Sequence, residues 1–266
     1  MSAVDFAQFV ERLADAASAA ILPFFRSAIH AHDKSHGGAF DPVTEADRGA
    51  EVAMRGMIRD HFPAHGVVGE EFGTTNPEAE YVWVLDPIDG TKSFISGFPT
   101  WGVLIGLQHR GRPVYGMMRQ PFTRESFVGD GAAAHWRGLD PSGAPVARPL
   151  HSRACADLGQ ATLMTTSPLL IPEAKRDAYA RVERAVRLPR FGGDCYAYAA
   201  LAGGFVDVVV EAGLKPYDIV ALIPVIEGAG GIVTTWDGGD AAGGGDVLAS
   251  GDPRTHEQAM ALLARG

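Results

Sequence analysis

Apolar residues recur at helical spacing near the start of the chain: Phe6, Phe9, Val10, Leu13, Ala17, Ala20, Ile21 and Phe24. Positions three and four apart share one helix face, so the run predicts a long first helix with one buried stripe. Residues 30–40 are polar and glycine-bearing and are expected to form a mobile loop. Helical spacing returns at Ala50, Ala53, Met54, Met57 and Ile58, predicting a second helix. Thr44 followed by Asp47 makes a capping-box pattern at its start.

From residue 67 the pattern changes to short apolar runs. Residues 67–68, 81–85, 103–108, 114–119 and 126–129 read as strands, and Gly111-Arg112-Pro113 reads as a hairpin turn between two of them. Residues 139–149 are rich in Pro and Gly and are expected to link two halves, 1–140 and 150–266. The second half is expected to hold strands at 162–166, 206–211 and 232–235. Its helices are expected at 173–186, 195–201, 219–228 and a closing one ending near Leu263. Residues 238–245 are glycine-rich but lack the Lys-Ser/Thr of a phosphate-binding loop, and read as a surface turn.

Composition narrows the class. The 266 residues are 46% hydrophobic, ample for a core, and carry a net charge of −9 with no basic cluster, which disfavours nucleic acid as a partner. Cys155 and Cys195 form no metal-ligand or redox pattern and are expected to be reduced thiols of a cytoplasmic protein. Asp5, Glu11, Arg12 and Asp15 interrupt the first apolar pattern, so it does not read as a signal peptide. No apolar run approaches the ~20 residues that span a bilayer, so no membrane association is expected. His30, His32 and His36 lack paired cysteines or a helical partner with Glu, which argues against zinc.

The strand at 81–85 ends in Asp86-Pro87-Ile88-Asp89-Gly90-Thr91. Two carboxylates in a tight turn suit a hard divalent cation such as Mg²⁺. The amides of Gly90 and Thr91, opening a helix, suit a phosphate. Asp-Pro and Asp-Gly are also ordinary turn formers, so the hexapeptide does not stand alone. Glu70 lies at another strand end, Asp218 near the start of a predicted helix, and Asp47 at the start of the second helix. Acidic groups at strand and helix ends are where α/β layouts gather their sites.

These motifs resemble the inositol monophosphatase-like family of Mg²⁺-dependent, Li⁺-sensitive phosphatases, over nearly the whole chain. The signatures are residues 83–91 and residues 215–231, with its ending Glu227-Gly228-Ala229-Gly230-Gly231. Residues 89–94, 191–198 and 213–218 are most similar to the histidinol-phosphatase branch. Tyr217 stands where the inositol phosphatases usually carry Trp, and Gly193-Asp194-Cys195 replaces their Gly-Thr/Ser-Ala.

The resemblance implies a layered α+β and α/β fold, the αβαβα sandwich of the inositol monophosphatase/fructose-bisphosphatase type. It implies a homodimer and two or three Mg²⁺ per active site. The implied metal ligands are Glu70, Asp86, the carbonyl of Ile88, Asp89 and Asp218. The implied catalytic residues are Thr91, Asp47 and Glu70: Asp47 would hold Thr91, which relays a proton from the attacking water, or Glu70 would accept that proton. A helix cap is the competing role for Asp47. The implied substrate contacts are Gly90, Thr91, Gly193, Asp194, Cys195, Glu211 and Asp218.

Asp194 and Glu211 can pair with the ammonium and imidazole of L-histidinol phosphate, whereas inositol phosphate offers only hydroxyls. Asp194 can equally be an N-cap before Cys195. Lys34 matches a loop position where the family often has a lysine near the metal site, with an exposed loop lysine the competing reading, and Lys92 either approaches the phosphate or is solvated. The enzymatic alternatives are an inositol-1-phosphatase, then a sugar or nucleotide phosphatase. The non-enzymatic alternative is a relative that binds transcription machinery.

Overall fold

The computed structural model describes residues 6–27, 32–33 and 42–264. Helix α1 (Phe6–Ile21) is followed by a short strand pair, β1 (His32–Asp33) and β2 (Pro42–Val43), and by α2 (Glu45–His61). Then come β3 (Gly66–Gly69), β4 (Gly73–Thr75), β5 (Tyr81–Asp89), the short α3 (Thr91–Ile95), β6 (Gly102–His109), β7 (Arg112–Gln120), β8 (Glu125–Gly129), β9 (Ala134–Leu139) and β10 (Pro145–Pro149). The second half runs β11 (Thr162–Thr165), α4 (Arg176–Ala185), β12 (Leu188–Phe191), α5 (Cys195–Ala202) and β13 (Val208–Leu214). It continues with α6 (Pro216–Ile219), α7 (Ile223–Gly228), β14 (Ile232–Thr235), β15 (Gly245–Ser250) and α8 (Pro253–Leu263). Among the described residues no helix is long and apolar enough to cross a membrane. Lys34 and the histidines at 30 and 36 lie outside the described residues.

Strands β3–β10 form an eight-stranded sheet in the order β10-β9-β8-β7-β6-β5-β3-β4, in which only the β3–β5 pair is parallel. The second sheet has five strands in the order β12-β11-β13-β15-β14, with β11 parallel to both neighbours. Side-chain alternation shows how the layers stack. On β5, Trp83 and Leu85 pack with α1 and α2, while Val82 and Val84 pack with α5, α6 and α7. On β13, Val209 faces those same middle helices, and Val208 and Val210 face α4 and α8. The five layers are therefore α1/α2, first sheet, α5–α7, second sheet, α4/α8, the expected αβαβα sandwich. Both central strands are covered on two faces, which is why they read as unbroken apolar runs.

The contact between the first sheet and the middle layer has an unusual form. Gly106, Gly116 and Gly129 lie side by side across β6, β7 and β8. A Cβ on Gly116 would meet the carbonyl oxygen of Ala221 at 1.8 Å, and one on Gly129 that of Pro224 at 2.4 Å. The chain between α6 and α7 thus rests in a furrow without side chains, main chain against main chain. Asp218 enters the site just ahead of this contact.

Three expectations need correcting. Residues 139–149 are no free linker: they run from the last residue of β9 through a turn into β10, the edge strand of the first sheet. Proline bounds β10 at both ends and most of its residues are exposed, the composition an edge strand tolerates. The helix expected at 219–228 is two pieces, because the ring of Pro224 excludes the carbonyl four residues back. The glycine-rich segment 238–245 is no free surface turn: Ala241 and Ala242 are buried and Gly245 opens β15.

Candidate active site

The site forms where β5 runs out. Its pairing with β6 slips between Asp86 and Asp89, so that Asp86 faces Leu104 and Asp89 faces Gly102. The slip accommodates Pro87, which has no N–H for the ladder. Asp86 is only 2% exposed, and its Oδ1 accepts the N–H of Ile88 at 3.0 Å. Asp218 arrives from α6, where its Oδ2 accepts the N–H of Lys215 at 2.6 Å. One carboxylate oxygen from each of Asp86, Asp89 and Asp218 lies within 4.8 Å of the others. Glu70, just past β3, is hydrogen-bonded to Asp86.

A cavity of about 410 Å³ opens above these groups. Glu70, Asp89, Gly90, Thr91 and Lys92 line one side, and Thr166, Leu170, Asp194, Glu211, Tyr217 and Asp218 line the other. Two expected substrate contacts are not among its walls. Gly193 packs under Met164 and Ala197. Cys195 is buried and touches the site through its backbone, donating its N–H to Asp89 Oδ2 at 2.7 Å. A larger cavity of about 510 Å³ lies elsewhere, lined by Phe127, Trp136, Tyr196 and Phe205. The single acid in its lining, Glu125, already accepts from Thr123, Tyr196 and Trp136.

Asp194 holds the N-cap position of α5 but makes no cap hydrogen bond. Asp89 supplies that bond instead. The Asp194 backbone sits at φ 44°, ψ −136°, a left-handed region costly for any residue but glycine. Its Oδ2 accepts from Ser93 Oγ at 2.6 Å, and Ser93 in turn accepts from Thr100 Oγ1 at 3.0 Å. Glu211, 4% exposed, is fixed by the N–H of Thr166 at 2.5 Å and the hydroxyl of Thr165 at 3.1 Å. Ser93, Thr100, Thr165 and Thr166 were not singled out from the sequence. Isolated hydroxyl residues carry no spacing signal, although Ser93 falls within residues 89–94.

The expected Thr91–Asp47 bond is absent. Thr91 Oγ1 turns back to the carbonyl of Ile88 at 3.1 Å, as a hydroxyl opening a helix readily does. Asp47 forms the capping box of α2, its Oδ2 accepting both the N–H and the hydroxyl of Thr44. Its other oxygen, Oδ1, is buried with no partner.

Burial is the main cause that raises Asp47, Asp86, Asp89, Asp194, Glu211 and Asp218. Burial holds Asp86 and Asp89 well above the usual carboxylate range, and neighbouring acids push them further. Burial pushes Asp218 up to about 7, Glu211 to about 7 and Asp47 to about 6. Asp194 is raised by burial, with Ser93 and Lys92 opposing. An all-oxygen donor set, crowded and short of cations, with an orphaned carboxylate oxygen at its margin, fits a divalent cation such as Mg²⁺.

A pH prediction follows from the sign of these shifts. Acids with raised folded-state pKa contribute stability that is complete below about pH 4 and is lost as pH rises through 6 to 7. Metal-free protein should therefore lose Tm between pH 5 and 8, by roughly 5 °C or more, since 1 kcal/mol is worth about 2–4 °C in chains approaching this size. Added Mg²⁺ should flatten the slope. A metal-free Tm that stays level over this range would contradict the assigned crowding.

Comparison with known proteins gives a consistent picture. A model of the inositol monophosphatase family matches residues 3–265. The chain is 45% identical over 270 residues to "Bifunctional phosphatase IMPL2, chloroplastic" of Arabidopsis thaliana, spanning 97% of this chain and 75% of that protein. It is 34% identical over 230 residues to the histidinol-phosphatase of Mycobacterium tuberculosis, spanning 85% of each. Among solved structures, an inositol monophosphatase from Zymomonas mobilis superposes with a TM-score of 0.85 at 38% identity, covering 99% of both chains.

Proposed function

The chain belongs to the inositol monophosphatase family, a family of phosphoric monoester hydrolases, and from that premise we propose that it hydrolyses L-histidinol phosphate to L-histidinol and phosphate with Mg²⁺. The observation that carries the substrate assignment is the acidic wall facing the carboxylate cluster. Asp194 and Glu211 line the same cavity as Asp89 and Asp218, on the side contributed by the second half of the chain. A phosphate held at one end of a small substrate would leave a cationic tail to meet these two acids. The relatives named histidinol-phosphatase support the same choice.

Glu70, Asp86, the Ile88 carbonyl, Asp89 and Asp218 would hold the metal. When bound, Mg²⁺ supplies charge neutralisation for the phosphate and acidifies water. Residues 1–140 thus provide most of the donors, and residues 150–266 provide the last donor and the specificity groups. Gly90 and Thr91, which line the cavity beside the carboxylates, would flank the phosphate. The proton of the attacking water has two candidate acceptors, Glu70 and the unpartnered Oδ1 of Asp47. The Thr91 hydroxyl reaches a relay position only by leaving the Ile88 carbonyl. A homodimer belongs to this proposal: Phe98 and Leu169 are 66% and 85% exposed and would gain cover in one.

A second assignment, inositol-1-phosphatase, is favoured by the close match to the Zymomonas mobilis inositol monophosphatase. One panel separates the two: phosphate release from L-histidinol phosphate, inositol-1-phosphate, fructose-1,6-bisphosphate and 3′-phosphoadenosine 5′-phosphate, with and without EDTA. Histidinol phosphate should lead in kcat/KM, and EDTA should abolish every activity. Inositol-1-phosphate leading would move the assignment to the second, and full turnover in EDTA would remove the metal from both.

A further inference from the structure

Glu51 follows Asp47 by one turn of α2 and has no exposed surface. Its Oε2 accepts the N–H of Glu71 at 2.8 Å, and its Oε1 accepts that of Phe72 at 3.2 Å. Arg55, one further turn along, donates its Nε to Glu51 Oε1 at 2.6 Å. The same guanidinium also bonds the carbonyl of Gly73 and, at 3.3 Å, the hydroxyl of Thr75. The segment from Gly69 to Thr75 is therefore tied to α2 by four bonds through two side chains. Glu70, at its head, is anchored on the other side by its N–H to the Leu85 carbonyl of β5 at 3.3 Å.

A buried carboxylate is costly unless it is both paired and hydrogen-bonded, and an apolar residue of similar size often serves stability as well. The pair here holds the turn at Glu71 and Phe72 and the start of β4, a three-residue edge strand with every residue exposed. A core needs no such clamp at that place. Gly69 completes the arrangement: a Cβ there would lie 2.0 Å from Glu51 Oε1, so only glycine lets the carboxylate reach beneath the strand end. What the clamp fixes is the backbone that directly follows Glu70, whose carboxyl meets Asp86 in the cluster.

We propose that Glu51, braced by Arg55, is a positioning residue that holds Glu70 over the carboxylate cluster and thereby sets the affinity of the site for a divalent cation. It acts through Glu70 and rests on the assignment of Glu70 as a metal donor. Groups that orient metal ligands from behind typically change metal affinity 10–100-fold when removed.

The test needs no substrate. Metal-stripped protein is titrated with MgCl₂ and the midpoint of the rise in Tm is recorded, because a cation bound to the folded state stabilises it by mass action. Glu51→Gln keeps the side-chain length and an oxygen for one amide, but loses the charge that pairs with Arg55. Its midpoint should move about tenfold towards higher Mg²⁺. In the Glu70→Gln background the same substitution should move the midpoint no further, since its route to the metal is already gone.

An unmoved midpoint in Glu51→Gln, or a shift that adds in full to that of Glu70→Gln, would overturn the inference and leave Glu51 a purely structural acid. Should Glu51→Gln not fold, Arg55→Lys asks the same question. It spares the two amide bonds of Glu51 and loosens only the brace, and should shift the midpoint in the same direction by at least twofold. No shift there would also overturn the inference. A wild-type protein whose Tm ignores Mg²⁺ would overturn the metal assignment and this inference with it, whereas a responsive wild type with unresponsive variants overturns this inference alone.

Discussion

Asp89→Asn is expected to lower kcat/KM by roughly three orders of magnitude, about 4 kcal/mol of barrier, while the protein stays folded. The Asp89 carboxylate is the hinge of the site. It shares a 4.8 Å cluster with Asp86 and Asp218, and its Oδ2 caps α5 through the N–H of Cys195 at 2.7 Å. Asparagine keeps a carbonyl oxygen for that amide, so the first turn of α5 retains its acceptor. It also removes one of the charges that push Asp86 up. The metal-free Tm should therefore hold or rise, and the Mg²⁺-dependent gain in Tm should shrink. Kinetics across a Mg²⁺ series, paired with melting curves in EDTA, separate the two roles. An unchanged kcat/KM would exclude Asp89 from the metal set, and a collapse of Tm in EDTA would mark it as a cap before anything else.

Asp194→Gly should cost ten- to a hundredfold in kcat/KM for histidinol phosphate at little cost in stability. Opposing magnitudes set the second half of that statement. Releasing a non-glycine residue from φ 44° returns about 1–3 kcal/mol of backbone strain. Glycine's extra freedom in the unfolded chain takes back roughly 0.5–1 kcal/mol. Losing the charged bond from Ser93 takes about 1.5–3 kcal/mol. These nearly cancel, so Tm should move by only a few degrees. The loss of one charge-assisted contact to the substrate's cationic end, of the same 1.5–3 kcal/mol, gives the kinetic effect. Inositol-1-phosphate, which has no cation to lose, should be affected less. Equal losses on both substrates would show that Asp194 shapes the cavity without reading the substrate's charge.

The carboxylates could be found from the chain because strand ends announce themselves. The apolar run at 81–85 stops at Pro87, and Asp86 and Asp89 flank the stop. Helices α1 and α2 were equally legible, since each buries one stripe and leaves its other face polar. Edge strands β10 and β12 were not, because they are largely exposed and carry prolines, and β9 beside β10 was obscured by its alternation with exposed residues. Strand β15 was hidden by the glycines ahead of it. Within the site, the sequence offered a choice of cap or catalytic acid for Asp47, and the structure supplies a cap with one oxygen left over. The capping of α5 by Asp89 joins residues 106 positions apart, a contact that local patterning cannot express. Glu51 escaped for a similar reason: on a helix it looks like one more solvated acid, and only the fold turns it inward.

The furrow of Gly106, Gly116 and Gly129 has a consequence for how this architecture can diversify. Main chain resting on main chain makes the spacing between the β5 carboxylates and Asp218 a gauge with no adjustable parts. Rotamers cannot tune it, and a single added methyl at Gly116 would act as a shim, forcing the Ala221 carbonyl away and Asp218 with it. Substitutions that reshape the cavity would thus act through its walls, at residues such as Thr166, Leu170 and Asp194, while the spacing of the carboxylate cluster would stay fixed by the backbone contact.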